Sequence, residues 1–237
     1  MLKKITLLLS VLVLFSCSEK KSNKNLQITG AIKGFKKGAL YIQKIKDTSF
    51  INLDTIVIDG NSNFSTELDL SSPEMLYLFI DRGTSSSVDN YLAFFAEPGK
   101  INIETSLDFF TSDAKITGSK NHDLYEEYKY VVSRYTDEDL ELIKKKFEAY
   151  KSKNLEEVLN IEKKQQSIIK RKYLYTTNFA VNHSDYAIAP YLATTEIYDI
   201  NLKFLDTINK SMTPKVANGF YGKKLKNLLS KRKISEE

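Results

Sequence analysis

The spacing of apolar residues changes at Gly118-Ser119, and this change constrains the fold more than any other feature of the chain. Before it, short segments rich in Ile, Val, Tyr, Phe and Thr alternate with turn signals such as Asp59-Gly60-Asn61, a hairpin-type signal, and predict antiparallel strands. Segments 75–80 and 91–96 are apolar throughout, which predicts central strands buried on both faces. After the change, apolar residues recur at helical intervals. The sequence therefore predicts an α+β fold, with an antiparallel β-sandwich-like domain over residues 26–118 and a helical region over 119–237.

The helical region opens with the pattern of a long amphipathic helix. Ser119 or Asn121 can cap its start. Tyr128 and Tyr135 lie on its apolar face, where aromatic rings usually pack a helix onto a sheet. Tyr130 falls off that face and is the better candidate for contact with another molecule. Aromatic clusters of this kind can also line a groove for a glycan or a peptide.

An acidic run interrupts the apolar pattern of that helix. Asp137-Glu138-Asp139 predicts a helix break or a new helix N-terminus, because a divalent cation would need further oxygen ligands from elsewhere. Beyond the run, the apolar face resumes at Leu140, Ile143, Phe147 and Tyr150. A second long helix is predicted to begin with Asn154 as its cap.

The N-terminus has the layout of a secretory signal. Lys3 and Lys4 precede an apolar stretch over 5–15, which is too short to span a membrane as a helix. Cys17, the only cysteine, ends a four-residue segment that resembles a bacterial lipobox. We therefore expect a lipoprotein signal peptide over 1–16, lipidation of Cys17 (palmitate), and a flexible tether over 17–25. The predicted location is the cell envelope, with the lipid in the outer membrane. The sequence does not decide whether the protein lies on the periplasmic side or the cell-surface side of that membrane.

The net charge of the chain argues against one class of partner. Without Lys3 and Lys4 the chain has 33 Lys and Arg against 30 Asp and Glu, a net charge of +3. So small a surplus argues against nucleic acid as a partner. The cations over 223–233 are interpreted as a solvated helix face, with contact to anionic headgroups or an acidic partner as the alternative.

No catalytic constellation is evident in the sequence. His122 and His183 are the only histidines, and we expect His122 to be exposed or to cap a helix rather than to serve a catalytic triad. No metal-ligand spacing and no nucleotide-binding loop occur. We predict no catalytic residue, no metal site and no cofactor.

The order of several motifs carries a resemblance to a known family. Ile28-Thr29-Gly30-Ala31-Ile32 is followed by Gly38-Ala39-Leu40-Tyr41-Ile42, then by Glu97-Pro98-Gly99-Lys100 and Gly118-Ser119. This pattern resembles the N-terminal domain of unknown function 4369 of Bacteroidota lipoproteins, which lies upstream of thioredoxin-like (AhpC/TSA) domains. The resemblance implies a secreted, lipid-anchored β-domain without a known activity.

The helical half resembles the same proteins at Pro190-Tyr191 and Gly222-Lys223-Lys224-Leu225. In those proteins this segment leads into the thioredoxin-like domain, whose expected start falls near Glu237, where the sequence ends. Because Cys17 is the only cysteine, no Cys-x-x-Cys motif exists and the redox activity does not carry over.

The predicted function is a non-enzymatic binding or scaffolding module of the cell envelope, held to the membrane through Cys17. The alternative is an accessory subunit of a separate thioredoxin-like thiol-disulfide oxidoreductase. An autonomous hydrolase using His122 or His183 ranks third. An envelope protein as partner and the identity of any small-molecule ligand stay open.

Overall fold

A computed structural model describes residues 24–83 and 87–236 of this chain. The predictions for Cys17, for the signal peptide over 1–16 and for the tether as far as residue 23 lie outside the described residues. The β-strands, in chain order, are β1 Leu26–Lys33, β2 Lys37–Lys46, β3 Ser49–Asp59, β4 Asn63–Leu68, β5 Glu74–Ile80, β6 Tyr91–Ala96, β7 Gly99–Ser106 and β8 Lys115–Thr117. The helices are α1 Lys120–Lys151, α2 Leu155–Asn182, α3 Ile188–Thr195, α4 Leu202–Ser211, α5 Pro214–Ala217 and α6 Phe220–Glu236, with a short 3-10 turn at Val88–Asn90.

The strands form two four-stranded sheets that enclose one core, so the predicted α+β fold with an N-terminal β-sandwich is confirmed. The first sheet has the order β4-β1-β7-β8 and the second β3-β2-β5-β6. Alternate residues of both sheets, including Ile28, Leu40, Leu78 and Ile103, point into the core. The pairing is antiparallel except between β1 and β7, which run parallel.

Two local features depart from the predicted antiparallel hairpins. β7 enters the first sheet from the same end as β1, with the N–H of Gly99 bonded to the carbonyl of Asn25 at 2.9 Å, and this makes the pair parallel. The turn at Asp59-Gly60-Asn61 does form, with a φ of +83° at Gly60. It joins β3 to β4 in the other sheet rather than closing a hairpin.

Parts of β5 and β6 are buried on both faces because helices cover part of the outer face of the second sheet, whereas Tyr77, Phe79 and Tyr91 on that face stay partly exposed. Leu76, Leu78 and Phe94 face the sandwich core, whereas Met75 and Phe95 face the helices. The prediction that both strands are central is wrong for β6, which is the edge strand of its sheet. α1 packs against β6, so this edge is not left open to solvent.

Helix α1 is continuous, so the predicted break at Asp137-Glu138-Asp139 is wrong. These acids contact α2 instead. Asp139 Oδ1 accepts a hydrogen bond from Gln165 at 2.8 Å, and both oxygens of Glu138 accept from Arg171 at 2.7 and 2.8 Å. The predicted caps are confirmed at Ser119, whose Oγ accepts from the N–H of His122, and at Asn154, whose Oδ1 accepts from the N–H of Glu157.

The second half of α1 buries a different face from the predicted one. Leu142 and Ala149 pack against α2, while Leu140, Ile143, Phe147 and Tyr150 are exposed. Helices α3, α4 and α6 pack together with the end of α2 around Ala193, Ile197, Leu205 and Leu225. Within the described ranges, no helix is both long and apolar enough to cross a membrane.

Candidate functional site

Five aromatic rings form a continuous surface on the outer side of the second sheet, which we call the aromatic face: Tyr41, Phe50, Tyr77, Phe79 and Tyr91. They come from four strands, and because alternate residues of a strand share a face, the fold brings them together. The ring centroids lie 5.8 Å apart for Tyr41 and Phe79, 4.6 Å for Phe79 and Tyr91, 4.7 Å for Tyr91 and Phe50, and 5.1 Å for Phe50 and Tyr77.

The aromatic face is accessible on its outer side. Phe50 is 43% exposed, and the other four rings are partly buried. Offset and edge-to-face contacts of this kind favour a fixed arrangement of the rings.

A second group of rings continues the aromatic face beneath the helices. Phe95 of β6 contacts Tyr191 of α3 and Tyr221 of α6, with centroids 5.5 and 5.9 Å apart, and Tyr125 of α1 contacts Tyr191 at 5.9 Å. The hydroxyl of Tyr221 accepts a hydrogen bond from the N–H of Met75 at 3.1 Å. Helices and sheet are therefore joined by ring packing and by this polar contact.

A cavity of about 690 Å³ opens beside these rings. We call it the lysine cavity, because Lys44, Lys46 and Lys224 line it together with Tyr77, Tyr191 and Tyr221. The carboxylates in its wall are Asp47 and Glu74. Lys44 lies 3.4 Å from Glu74, whereas Lys46 and Lys224 have no carboxylate within ion-pair distance among the described residues. Two cations are thus left to attract negative charge.

A second cavity, of about 510 Å³, lies on the other side of Phe220 and Tyr221, which line both. We call it the junction cavity, because its walls come from the loop before β5, the turn before β7, the segment before α3 and the helices α1, α5 and α6. Its buried polar residue is Asn121, which donates to Glu97 and accepts from the N–H of Ile188 at 3.0 Å. Glu97 also accepts from the N–H of Lys120.

Burial keeps the tyrosines of this region protonated. Loss of solvent raises the pKa of Tyr191 and of Tyr221 above the usual value, and also the pKa of Tyr125 and Tyr77. A neutral phenol is a hydrogen-bond donor and acceptor but a poor nucleophile. These groups can therefore bind and orient a ligand.

Both histidines contact backbone groups, and His122 Nε2 also lies 3.4 Å from Glu126 Oε1. His122 is only 4% exposed, so the expectation of an exposed side chain is wrong; burial lowers its pKa, and its Nδ1 accepts from the N–H of Phe95 at 3.4 Å. His183 Nδ1 contacts the carbonyl of Phe179 at 2.9 Å. Both rings thus contact the backbone.

The other candidates from the sequence fall in separate places. Tyr130 is 67% exposed and receives a hydrogen bond from Arg134 at 3.0 Å, as expected of a residue off the apolar face. Tyr128 is buried against Thr176 at 2.9 Å, and Tyr135 packs near Leu142, so their packing role is confirmed. Among the residues that the structure describes, no three His, Cys, Asp or Glu side chains lie close enough to hold a metal ion.

Two of the cations over 223–233 have different surroundings. Lys224 lines the lysine cavity. Arg232 donates to the carbonyls of Tyr198 and Ile200, which ties the end of α6 to the segment before α4.

The β-domain carries the match to a known family. Residues 26–125 match the family described as Domain of unknown function (DUF4369). The DUF4369 segment covers the whole sandwich and the start of α1, and so includes Glu97, Asn121 and the aromatic face. The rest of the helices, with Tyr191, Tyr221 and Lys224, lie beyond it. No curated protein and no solved structure matches the chain.

Sequence reasoning missed the residues of this site. Tyr77 and Phe79 lie two positions apart in β5, the spacing that places both on one face of a strand. The continuous apolar run around them gave no indication that this face is only partly covered.

Proposed function

We propose that this chain is a lipid-anchored cell-envelope protein of the Bacteroidota that binds a ligand without catalysing a reaction. Support for the anchor comes from the basic start, the apolar stretch and Cys17 in a lipobox-like segment. The proposed location is the outer membrane, with the fold held close to it by the tether.

The observation that carries the binding proposal is the continuity of the aromatic face with the lysine cavity. Tyr77 belongs to both, so the ring surface and the cavity adjoin at this residue. Ring surfaces contribute contact area at small cost in conformational entropy, and Lys46 and Lys224 add electrostatic attraction. We therefore propose an elongated ligand with an apolar or ring-stacking portion and a negative charge.

The non-enzymatic part of the proposal rests on the chemistry of the site. The titratable groups that line the lysine cavity are lysines, carboxylates and buried, protonated tyrosines. Lys44 and Glu74 form an ion pair, and the hydroxyl of Thr195 in the cavity wall donates to the carbonyl of Tyr191 at 2.8 Å. The arrangement suits binding rather than bond cleavage.

Affinity capture from cell envelopes tests the proposal. The full chain and its Lys46→Glu/Lys224→Glu variant are purified with their bound material, which is identified by mass spectrometry. Lys115→Glu/Lys163→Glu, at two exposed lysines away from the cavity, is the matched control. We expect the bound ligand to fall at least tenfold in the cavity variant and to persist in the control.

Equal recovery in all three preparations would contradict the proposed site. Recovery of a thioredoxin-like protein that depends on Lys46 and Lys224 would instead make this chain its accessory subunit.

A further inference from the structure

The second half of α1 and the first half of α2 extend beyond the body of the protein as a two-helix arm, residues 136–171. A cluster formed by these two helices alone holds it together: Leu142, Ala149, Val158, Ile161 and Ile168, with Tyr135 at its base. Lys146 and Glu162 pair across the arm at 2.9 Å. The body contacts α1 through Leu124, Tyr125, Tyr128 and Val132, which all precede the arm.

One side of this arm is apolar and uncovered. Seven large side chains are between 48% and 66% exposed: Leu140, Ile143, Phe147, Tyr150, Leu155, Leu159 and Ile169. We call them the arm face. The four on α1 are spaced by three, four and three residues, which is the spacing of a helix-packing seam.

The arm face continues the surface by which α1 packs on the body. Ile143 is 18 residues from Tyr125, and Tyr150 is 18 residues from Val132, which is five full turns at 3.6 residues per turn. Tyr125 and Val132 pack on the body, whereas Ile143 and Tyr150 extend past its edge. The same face is therefore covered near the body and uncovered along the arm.

We propose that the arm of a second copy of this chain covers the arm face. Seven half-exposed large side chains present on the order of 700 Å² of apolar surface, more than monomers usually leave open and close to the ~800 Å² per partner of a standard interface. Two arms would complete a four-helix bundle, in which the cluster of each hairpin is extended by its partner.

The position of the body determines the direction of the second arm. The body lies on the same side of α1 as the arm face, so two parallel arms would bring both bodies into the same space. An antiparallel second arm avoids this overlap, and a two-fold axis near Lys145 then sets Leu140 opposite Tyr150 and Ile143 opposite Phe147 of the second copy.

Charge on α1 favours the same arrangement. Several charges of α1 are already paired within the arm, namely Glu138 with Arg171, Glu141 with Lys144 and Lys146 with Glu162. Asp137 before the arm face and Lys151 after it have no ion-pair partner among the described residues. Antiparallel arms place Asp137 of each copy near Lys151 of the other, whereas parallel α1 helices would align like charges.

Thiol crosslinking in intact cells tests the geometry on the full chain. In the antiparallel arrangement, the two copies of position 144 lie about 3 Å apart along the helix axis. The two copies of position 151 lie about 18 Å apart along it. We expect a short bis-maleimide to produce covalent dimers of Lys144→Cys and not of Lys151→Cys, which is equally exposed on the same helix. The unsubstituted chain, whose only cysteine is Cys17, shows how much crosslinked dimer comes from that residue. Dimers of Lys151→Cys alone, or none from either variant, would overturn the proposal.

Sedimentation of the purified full chain in detergent tests the surface. We expect a dimer that Phe147→Glu converts to a monomer with unchanged helical circular dichroism, since Phe147 is outside the arm core. Val57→Glu, at a 77% exposed apolar residue of β3, is the matched control and should stay dimeric.

As a second variant, Asp137→Lys should weaken the dimer and Asp137→Lys/Lys151→Asp should restore it. A monomeric unsubstituted chain, or a dimer indifferent to Phe147→Glu, would overturn the proposal, as would an arm face that binds lipid vesicles while the protein remains monomeric.

Discussion

The side-chain amide of Asn121 donates to the carboxylate of Glu97 and so fastens α1 to the turn between β6 and β7. The same side chain accepts from the N–H of Ile188 at the start of α3. One buried residue thus joins the β-sandwich to two helices in the wall of the junction cavity.

Replacing Asn121 by Ala should destabilise the fold by about 2–3 kcal/mol, because the N–H of Ile188 and an oxygen of Glu97 would lose their partner in a buried setting. Urea unfolding measures this change. Asn160→Ala, at an exposed position of α2, is the control and should change the free energy of unfolding by less than about 0.5 kcal/mol. A loss of stability at Asn121 no larger than at Asn160 would contradict the role of this residue.

The buried tyrosines predict a loss of stability at alkaline pH. Because burial raises the pKa of Tyr191 above the ordinary tyrosine value of 10.0, the unfolded chain ionises first as the pH rises. The folded state then holds more protons than the unfolded state, so stability is retained below pH 10 and falls above it, by about 1.4 kcal/mol per pH unit for each such tyrosine. Tyr191→Phe should make this decline shallower. Tyr130→Phe is the exposed control, and the same slope in both variants would refute the assignment.

His122 predicts a loss of stability on the acid side. Burial lowers its pKa below the ordinary histidine value of 6.5, so the unfolded chain takes up a proton at a higher pH than the folded chain. Stability is therefore full above pH 6.5 and declines below it, by up to about 1.4 kcal/mol per pH unit until the folded ring protonates. An NMR titration should give the His122 ring a pKa below that of an exposed histidine, because burial lowers it; a pKa equal to or above that of an exposed histidine would contradict the burial argument.

Cys17→Ala should abolish lipid attachment and release the protein from the membrane fraction. Fractionation with a radiolabelled palmitate precursor measures both effects in one experiment. Ser18→Ala, at the next position, is the control and should stay labelled and membrane-bound. A Cys17→Ala protein that remains in the membrane fraction would overturn the proposed anchor.

The sequence predicted the order of strands and helices because local spacing determines it. Turn signals bounded the strands, and Ser119 and Asn154 marked two helix starts that the structure confirms. The spacing of apolar residues could not show which face of α1 is buried in the arm, since α1 has two apolar faces there. Leu142 and Ala149 meet α2, and Leu140, Ile143 and Phe147 form the other face. Which face is covered depends on where α2 lies, and no local pattern contains that information.

The candidate site could not be predicted from the sequence, because its residues come together only in the folded protein. Phe50, Tyr77 and Tyr91 are distant in sequence and meet only through the pairing of four strands. Lys46 and Lys224 join them from opposite halves of the chain, because α6 packs beside the second sheet. The predicted break at Asp137 failed because the acids found partners on α2, a contact made across 26 residues or more.

Photo-crosslinking in intact cells tests the central claim, that the aromatic face binds a ligand, most directly. A photoreactive phenylalanine analogue replaces Phe50, and in a matched control it replaces Phe109, an exposed aromatic residue that lies away from the aromatic face. We predict adducts of one chemical class at position 50 that disappear when Lys46 and Lys224 are both changed to Glu, and none of that class at position 109. Equal labelling at both positions, or no adduct at position 50, would contradict the account.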